Sequence, residues 1–179
     1  MEERVESWRV TLRDFKMTDV EDFMVWATDE EVAHFCSWEV YKSREQAEKY
    51  ISTEAIPHPW FKAICVDGKA VGGISLNRGE GHARCRGEIG YVTAAHCWGK
   101  GIVTQAVKLG VSAAFQDLPD LERIEGLVEP QNLASQRVLE KAGFVKEGLL
   151  SRYLNFKGKT RDFYVYRILS ADFPVEAHP

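Results

Sequence analysis

The stretch Glu88-Ile-Gly-Tyr-Val-Thr-Ala-Ala-His-Cys-Trp-Gly-Lys-Gly-Ile-Val-Thr-Gln-Ala106 decides the fold. It opens as a strand, crosses a turn of small residues and ends in the first turns of a helix. Gly99 and Gly101 flank Lys100 in the turn, and glycine lets backbone approach a ligand with no Cβ in the way. The helix start supplies unpaired N–H groups and the positive end of a macrodipole. Strand, glycine turn and helix start in that order form an anion pocket, most often for phosphate. The spacing is not a P-loop, since Lys100 precedes Gly101. Nor is it the dinucleotide fingerprint, since Thr104 stands where the third glycine belongs.

Upstream, Trp8 to Arg13 alternates β-formers with basic residues and reads as a first strand. Thr18-Asp-Val-Glu21 is a capping box for a helix with Val20, Phe23, Met24 and Ala27 on one face. Asp29-Glu30-Glu31 opens a short piece towards Phe35. A second box, Ser43-Arg-Glu-Gln46, starts a helix with Ala47, Tyr50 and Ile51 inward, stopped by Pro57 and Pro59. Trp60 to Val66 and Ala70 to Leu76 make a hairpin about Asp67-Gly68-Lys69, with a bulge or close backbone approach at Gly72-Gly73. After a polar loop from Asn77 to Cys85 comes the central strand, Arg86 to Thr93.

Downstream, the helix Lys100 to Gln116 is apolar over a wide arc that includes Val103, Val107 and Val111, so it packs on a sheet. Leu121 to Val128 is a strand. Asn132 caps a helix from Leu133 to Ala142, with Gly143 as its C′ residue. Phe144 to Phe156 and Asp162 to Leu169 close the chain as strands, with a turn at Lys157-Gly158-Lys159. Residues 171–179 read as a tail. With no linker or repeat, the whole of residues 1–179 reads as one domain with its core at about 8–170. The order implies an α+β sheet, antiparallel at first, with a crossover helix after the glycine turn. Strands either side of that helix are parallel neighbours and can splay into a cleft.

The 179 residues carry a net charge of −4, 45% apolar and 28% charged residues. That is ordinary globular composition. It argues against a nucleic-acid surface and leaves room for a cationic substrate. No apolar run reaches membrane-spanning length, and the acidic N-terminus is no export signal. Cys36, Cys65, Cys85 and Cys97 lack paired spacing, so they read as reduced thiols of a cytoplasmic or nuclear protein. His34, His58 and His82 lack ligand spacing, and no metal is expected.

Together, the segments Glu88 to Ala106 and Asn132-Leu-Ala-Ser-Gln-Arg-Val-Leu-Glu-Lys-Ala-Gly-Phe144 resemble the GNAT (GCN5-related) N-acetyltransferase superfamily, nearest its RimJ/RimL-like branch. The likeness runs from Val10 to about Leu169. It implies a mixed, mostly antiparallel seven-stranded sheet with helices on both faces and a splayed pair of central strands. It implies acetyl-CoA as cosubstrate and a primary amine, a protein N-terminus or a small amine, as acceptor. By resemblance, the turn holding Trp98, Gly99, Lys100, Gly101, Ile102 and Val103 takes the CoA pyrophosphate on backbone N–H groups. His96 stands where the family carries glutamine or arginine. Tyr91, Val92 and Thr93 match the strand that pairs with pantetheine as an added strand would, and Asn132 matches a pantetheine contact.

Moving an acetyl group from a thioester to an amine needs a neutral amine, a donor for the oxyanion and a proton for the thiolate. Glu88 is the candidate base; its bland alternative is a strand-end carboxylate paired with Arg86. The oxyanion donor is a backbone N–H near Val92. Many family members carry a tyrosine where this chain has Leu139, so the acid falls to Ser135, proposed for the role in the RimL-like branch, or to Tyr91. Arg84, Arg86, Lys100, Arg137 and Lys141 are candidates for the cofactor phosphates. Trp26, Trp38 and Trp60 are candidates for the acceptor cleft, with Glu30, Glu31 and Glu39 suited to a cationic acceptor. The rival readings are a non-catalytic acyl-CoA-binding module and a nucleotide-binding switch. The oligomeric state is not specified by the sequence.

Overall fold

Residues 8–172 are described by the computed structural model. Seven segments become strands: Val10–Asp14 (β1), Phe61–Val66 (β2), Lys69–Arg78 (β3), Arg86–Thr93 (β4), Arg123–Val128 (β5), Val145–Phe156 (β6) and Lys159–Leu169 (β7). They form one sheet in the order β1-β2-β3-β4-β5-β7-β6. Every neighbouring pair is antiparallel except β4 and β5. The expected mixed α+β sheet is therefore present.

Strand alternation sorts the core into two layers. Ile64, Ile74, Leu76 and Ile89 face helices Ile102–Asp117 (α4) and Leu133–Lys141 (α5). Ala63, Cys65 and Ala70 face the other way, under helices Val20–Ala27 (α1), Glu30–Ala33 (α2) and Arg44–Tyr50 (α3). α4 buries Ile102, Ala106, Val107, Gly110, Val111, Ala114 and Phe115, a stripe broad enough to hold a helix on a sheet.

Both two-residue hairpins put their turn residues at positive φ: Asp67 and Gly68 at 50° and 85°, Lys157 and Gly158 at 52° and 77°. That is the twist-matched hairpin turn. At Gly72 a Cβ would lie 2.1 Å from the Val92 carbonyl oxygen. The close backbone approach expected there is real, and the register shift opposite Ile64 and Cys65 leaves Val71 as the extra residue beside it.

Several details differ from the sequence expectation. Thr18 does not cap α1. Asp19 governs the entry instead, accepting the Lys16 amide at 2.8 Å and a bidentate pair from Arg13 at 2.7 and 2.8 Å. Ser43 does cap α3, but Gln46 reaches back to the Lys42 amide, at 2.7 Å. α3 runs on as a π-helical turn, Ile51–Ala55, which keeps Ile51 and Ala55 buried up to the proline stop. Trp26 and Trp60 are largely buried in the core, 1% and 4% exposed. The expected tail, beyond Asp172, lies outside the described residues.

Candidate active site

The centre of the sheet is open. β4 and β5 pair over only three rungs, Arg86↔Arg123, Gly87↔Ile124 and Glu88↔Glu125. Beyond them β4 stays with β3 as far as Thr93↔Gly72, and β5 stays with β7 as far as Val128↔Tyr164. The two strands keep their outer partners and part from one another at Glu88.

Glu88 is half-buried on the face turned to α1, beside the Asn77 rung of β3. Burial raises its carboxyl above the ordinary value; the Glu125 charge adds to this, and Arg86 opposes it. A salt bridge between Arg86 and Glu88 does not form. Arg86 Nη1 lies 3.1 Å from Glu125 Oε2, and Arg123 Nε lies 2.6 Å from Glu125 Oε1. Among the described residues Glu88 has no ion-pair partner.

Tyr91 projects from the opposite face, towards α5. Its phenol oxygen lies 2.7 Å from Ser135 Oγ, so the two candidate acids are one hydrogen-bonded pair. Burial holds the phenol well above its usual value despite the Ser135 contact. Asn132 fixes the pair from below: its Oδ1 accepts the Ser135 amide at 3.1 Å, the N-cap expected of it. At the far end of α5, Gly143 at φ 96° donates to the Glu140 carbonyl and Phe144 to that of Leu139, a Schellman ending. Leu139 itself is fully buried and faces Gly126, so it offers no proton.

The turn after β4 is built as expected. Gly99 and Gly101 sit at φ 72° and 76°, with no atom within 4 Å of where a Cβ would be. Gly101 caps α4 without a side-chain hydrogen bond, and Gln105 makes the first ladder bond to its carbonyl. The amides of Ile102 and Val103 precede that bond and belong to the orphan set of a helix start. Trp98 is 41% exposed at the rim. Lys100 does not fold into the turn; its Nζ stands 5.2 Å from the centroid of the Trp8 ring. Arg84 is tied to Asp120 and Arg86 to Glu125, at the closed end of the gap, so neither attends the turn. Thr93 is 3% exposed, and its Oγ1 is a buried hydroxyl without a partner where β4 ends against the gap.

Sequence reasoning did not single out Asn77 and Glu125 as neighbours of Glu88, or His58 as the partner of Asn77. His58 Nδ1 accepts the Trp60 amide at 3.1 Å, so its Nε2 carries the proton and donates to Asn77 Oδ1 at 3.0 Å. Glu125 stood in a strand with clean alternation, but only the register shows that it lies beside Glu88.

An acetyltransferase (GNAT) domain model matches residues 9–145. "Uncharacterized N-acetyltransferase p20" of Bacillus licheniformis is 29% identical over 171 residues, covering 92% of this chain and 95% of that one. "Uncharacterized N-acetyltransferase YoaA" of Bacillus subtilis is 31% identical over 170 residues, covering 92% and 96%. The structure of Mycobacterium smegmatis RimJ in complex with CoA-disulfide superposes with a TM-score of 0.76 at 30% identity, covering 92% of this chain and 84% of that one. Sheet, parted strands and glycine turn thus coincide with a family match over most of the chain: it belongs to the GNAT acetyltransferases. It is an N-acetyltransferase.

Proposed function

We propose that this enzyme, a single domain, takes acetyl-CoA as donor and transfers the acetyl group to a primary amine by direct attack in a ternary complex. The observation that carries the reading is the parting of β4 and β5 at Glu88, with a carboxylate on one face of β4 and a hydroxyl pair on the other. The residues present fit the donor. Orphan amides from Gly99 to Val103 suit a diphosphate. Backbone groups of Tyr91 and Thr93, on the edge of β4 left without a neighbour, suit an extended amide-bearing arm. The unpartnered Thr93 hydroxyl and the Asn132 amide nitrogen add polar contacts within that gap.

Glu88, short of counter-ions, holds a proton more readily than an ordinary carboxylate and takes one from the incoming ammonium, through a water where the amine stands off. A β4 main-chain amide next to Val92 that is turned into the gap, that of Tyr91 or Thr93, stabilises the oxyanion. Ser135, hydrogen-bonded to Tyr91, returns a proton to the sulfur. The acceptor is a protein N-terminus or a small amine; the likeness to the RimJ/RimL branch supports the former, and Glu30, Glu31 and Glu39 suit a cationic partner. A cytoplasmic setting fits the four free thiols.

The test is to mix protein, acetyl-CoA and a panel of N-terminal peptides and small amines, and to follow thiol release. Turnover that Glu88→Gln abolishes is the expected result. CoA binding without turnover on any amine would favour a non-catalytic acyl-CoA module. A melting temperature raised by ATP or GTP but not by CoA would favour a nucleotide switch.

A further inference from the structure

We infer that Glu125 is a positioning residue for Glu88: by engaging Arg86 and Arg123 it keeps both cations off the neighbouring carboxylate, which stays free to accept a proton. The inference rests on Glu88 acting as the base. Its geometry is independent of that role. Glu88 and Glu125 occupy the last parallel rung before the strands part, so they project from one sheet face on strands about 4.8 Å apart. Arg86 is two residues from Glu88 on the same strand and the same face, the obvious counter-ion. Instead its guanidinium lies on Glu125.

The surrounding charges close the arrangement. Arg123 is shared between Glu125 and Glu147. Arg167, across β7 from Glu125, is held by Glu147 and Asp172. On the β3 side Arg78 is paired with Asp120. Asn77, the rung partner of Glu88, is neutral and is held by His58 Nε2–H at 3.0 Å. Arg78, Arg86, Arg123 and Arg167 are each engaged elsewhere, Arg86 and Arg123 by Glu125 itself. Two carboxylates on adjacent rungs also disfavour joint ionisation.

The experiment reads Glu88 directly, without acceptor or acetyl-CoA. Protein labelled at the glutamate side-chain carboxyl carbon is titrated by NMR, with the Glu88 signal assigned by its loss in Glu88→Gln. In Glu125→Gln the Glu88 midpoint is expected to fall by about one pH unit. In Glu125→Gln/Arg86→Gln part of that fall is expected to reverse, because one of the two freed arginines is gone; a double variant that recovers nothing overturns the inference. An unchanged or raised midpoint in Glu125→Gln, with native amide spectra, overturns the inference. If that variant does not fold, Glu125→Asp at low and high salt replaces it: a Glu88 midpoint independent of both changes overturns the inference. A failure here leaves acetyl transfer standing. Full activity of Glu88→Gln would remove the base assignment without moving the titration.

Discussion

The phenol oxygen of Tyr91 and Oγ of Ser135 stand 2.7 Å apart, joining the parted edge of β4 to the first turn of α5. One partner comes from the sheet and the other from a helix more than forty residues later, so neither is positioned alone. The chemistry of each depends on the other.

Ser135→Ala is expected to lower kcat by about 100-fold, the lower range for losing a general acid. Tyr91→Phe should lower it by a smaller factor, since it removes only the group that orients the serine. The double variant should be no worse than Ser135→Ala, because members of one unit are not additive. Steady-state rates of the three variants at saturating acetyl-CoA check this; losses that multiply would separate the two hydroxyls.

Glu88 gives a prediction with a definite sign. Its carboxyl titrates above the ordinary 4.5, mainly from burial and then from Glu125. The folded state therefore binds this proton more tightly than the unfolded chain does. The stability it contributes is full below about pH 4.5 and is lost as the pH rises through the folded value. Glu88→Gln removes the charged form. It should raise the melting temperature at pH 7, by roughly 1–3 °C, bring no gain at pH 4, and abolish turnover. Calorimetry at the two pH values decides; a variant destabilised at pH 7 would contradict it.

The glycine turn separates strain from binding. Gly101→Ala places a Cβ in open space at φ 76°, so its cost is conformational alone, about 1–2 kcal/mol. Gly101→Asn should cost less, because asparagine tolerates the left-handed region. Denaturant melts give the stability order. Calorimetric titration with CoA should show both variants weaker than the parent, because the new side chain crowds the amides that receive the diphosphate.

Asn132 can be divided into two roles. Asn132→Ala removes the cap on the Ser135 amide and should cost about 1 kcal/mol. Asn132→Asp keeps an oxygen acceptor and should restore stability. It lacks the amide nitrogen, so CoA affinity should stay low. Thermal melts beside CoA titrations for the pair give the answer; recovery of both properties in the aspartate variant would reduce Asn132 to a cap.

Much of this was readable from residue types. Gly99 and Gly101 announced a turn between strand and helix, Asn132 and Gly143 marked both ends of α5, and Asp67-Gly68 dictated a hairpin, because each is a local requirement of a few torsions. What escaped notice depended on register. No local pattern says that Glu88 falls beside Glu125 and across from Asn77, or that Arg86 prefers the neighbouring strand to its own. Thr18 is not the cap because its neighbour Asp19 takes both the Lys16 amide and the Arg13 guanidinium. Trp60 is core because its indole N–H reaches Asp117 Oδ2 at 2.9 Å from the end of α4, a contact across 57 residues.

Past the rung at Glu88, each central strand bears main-chain donors and acceptors with no strand beside them. That is a sheet border placed in the interior of the molecule. Borders at a periphery recruit other polypeptides; this one has α4 packed against β4 and α5 against β5. An extended chain of amides laid along such a border would find its hydrogen-bond partners already in place.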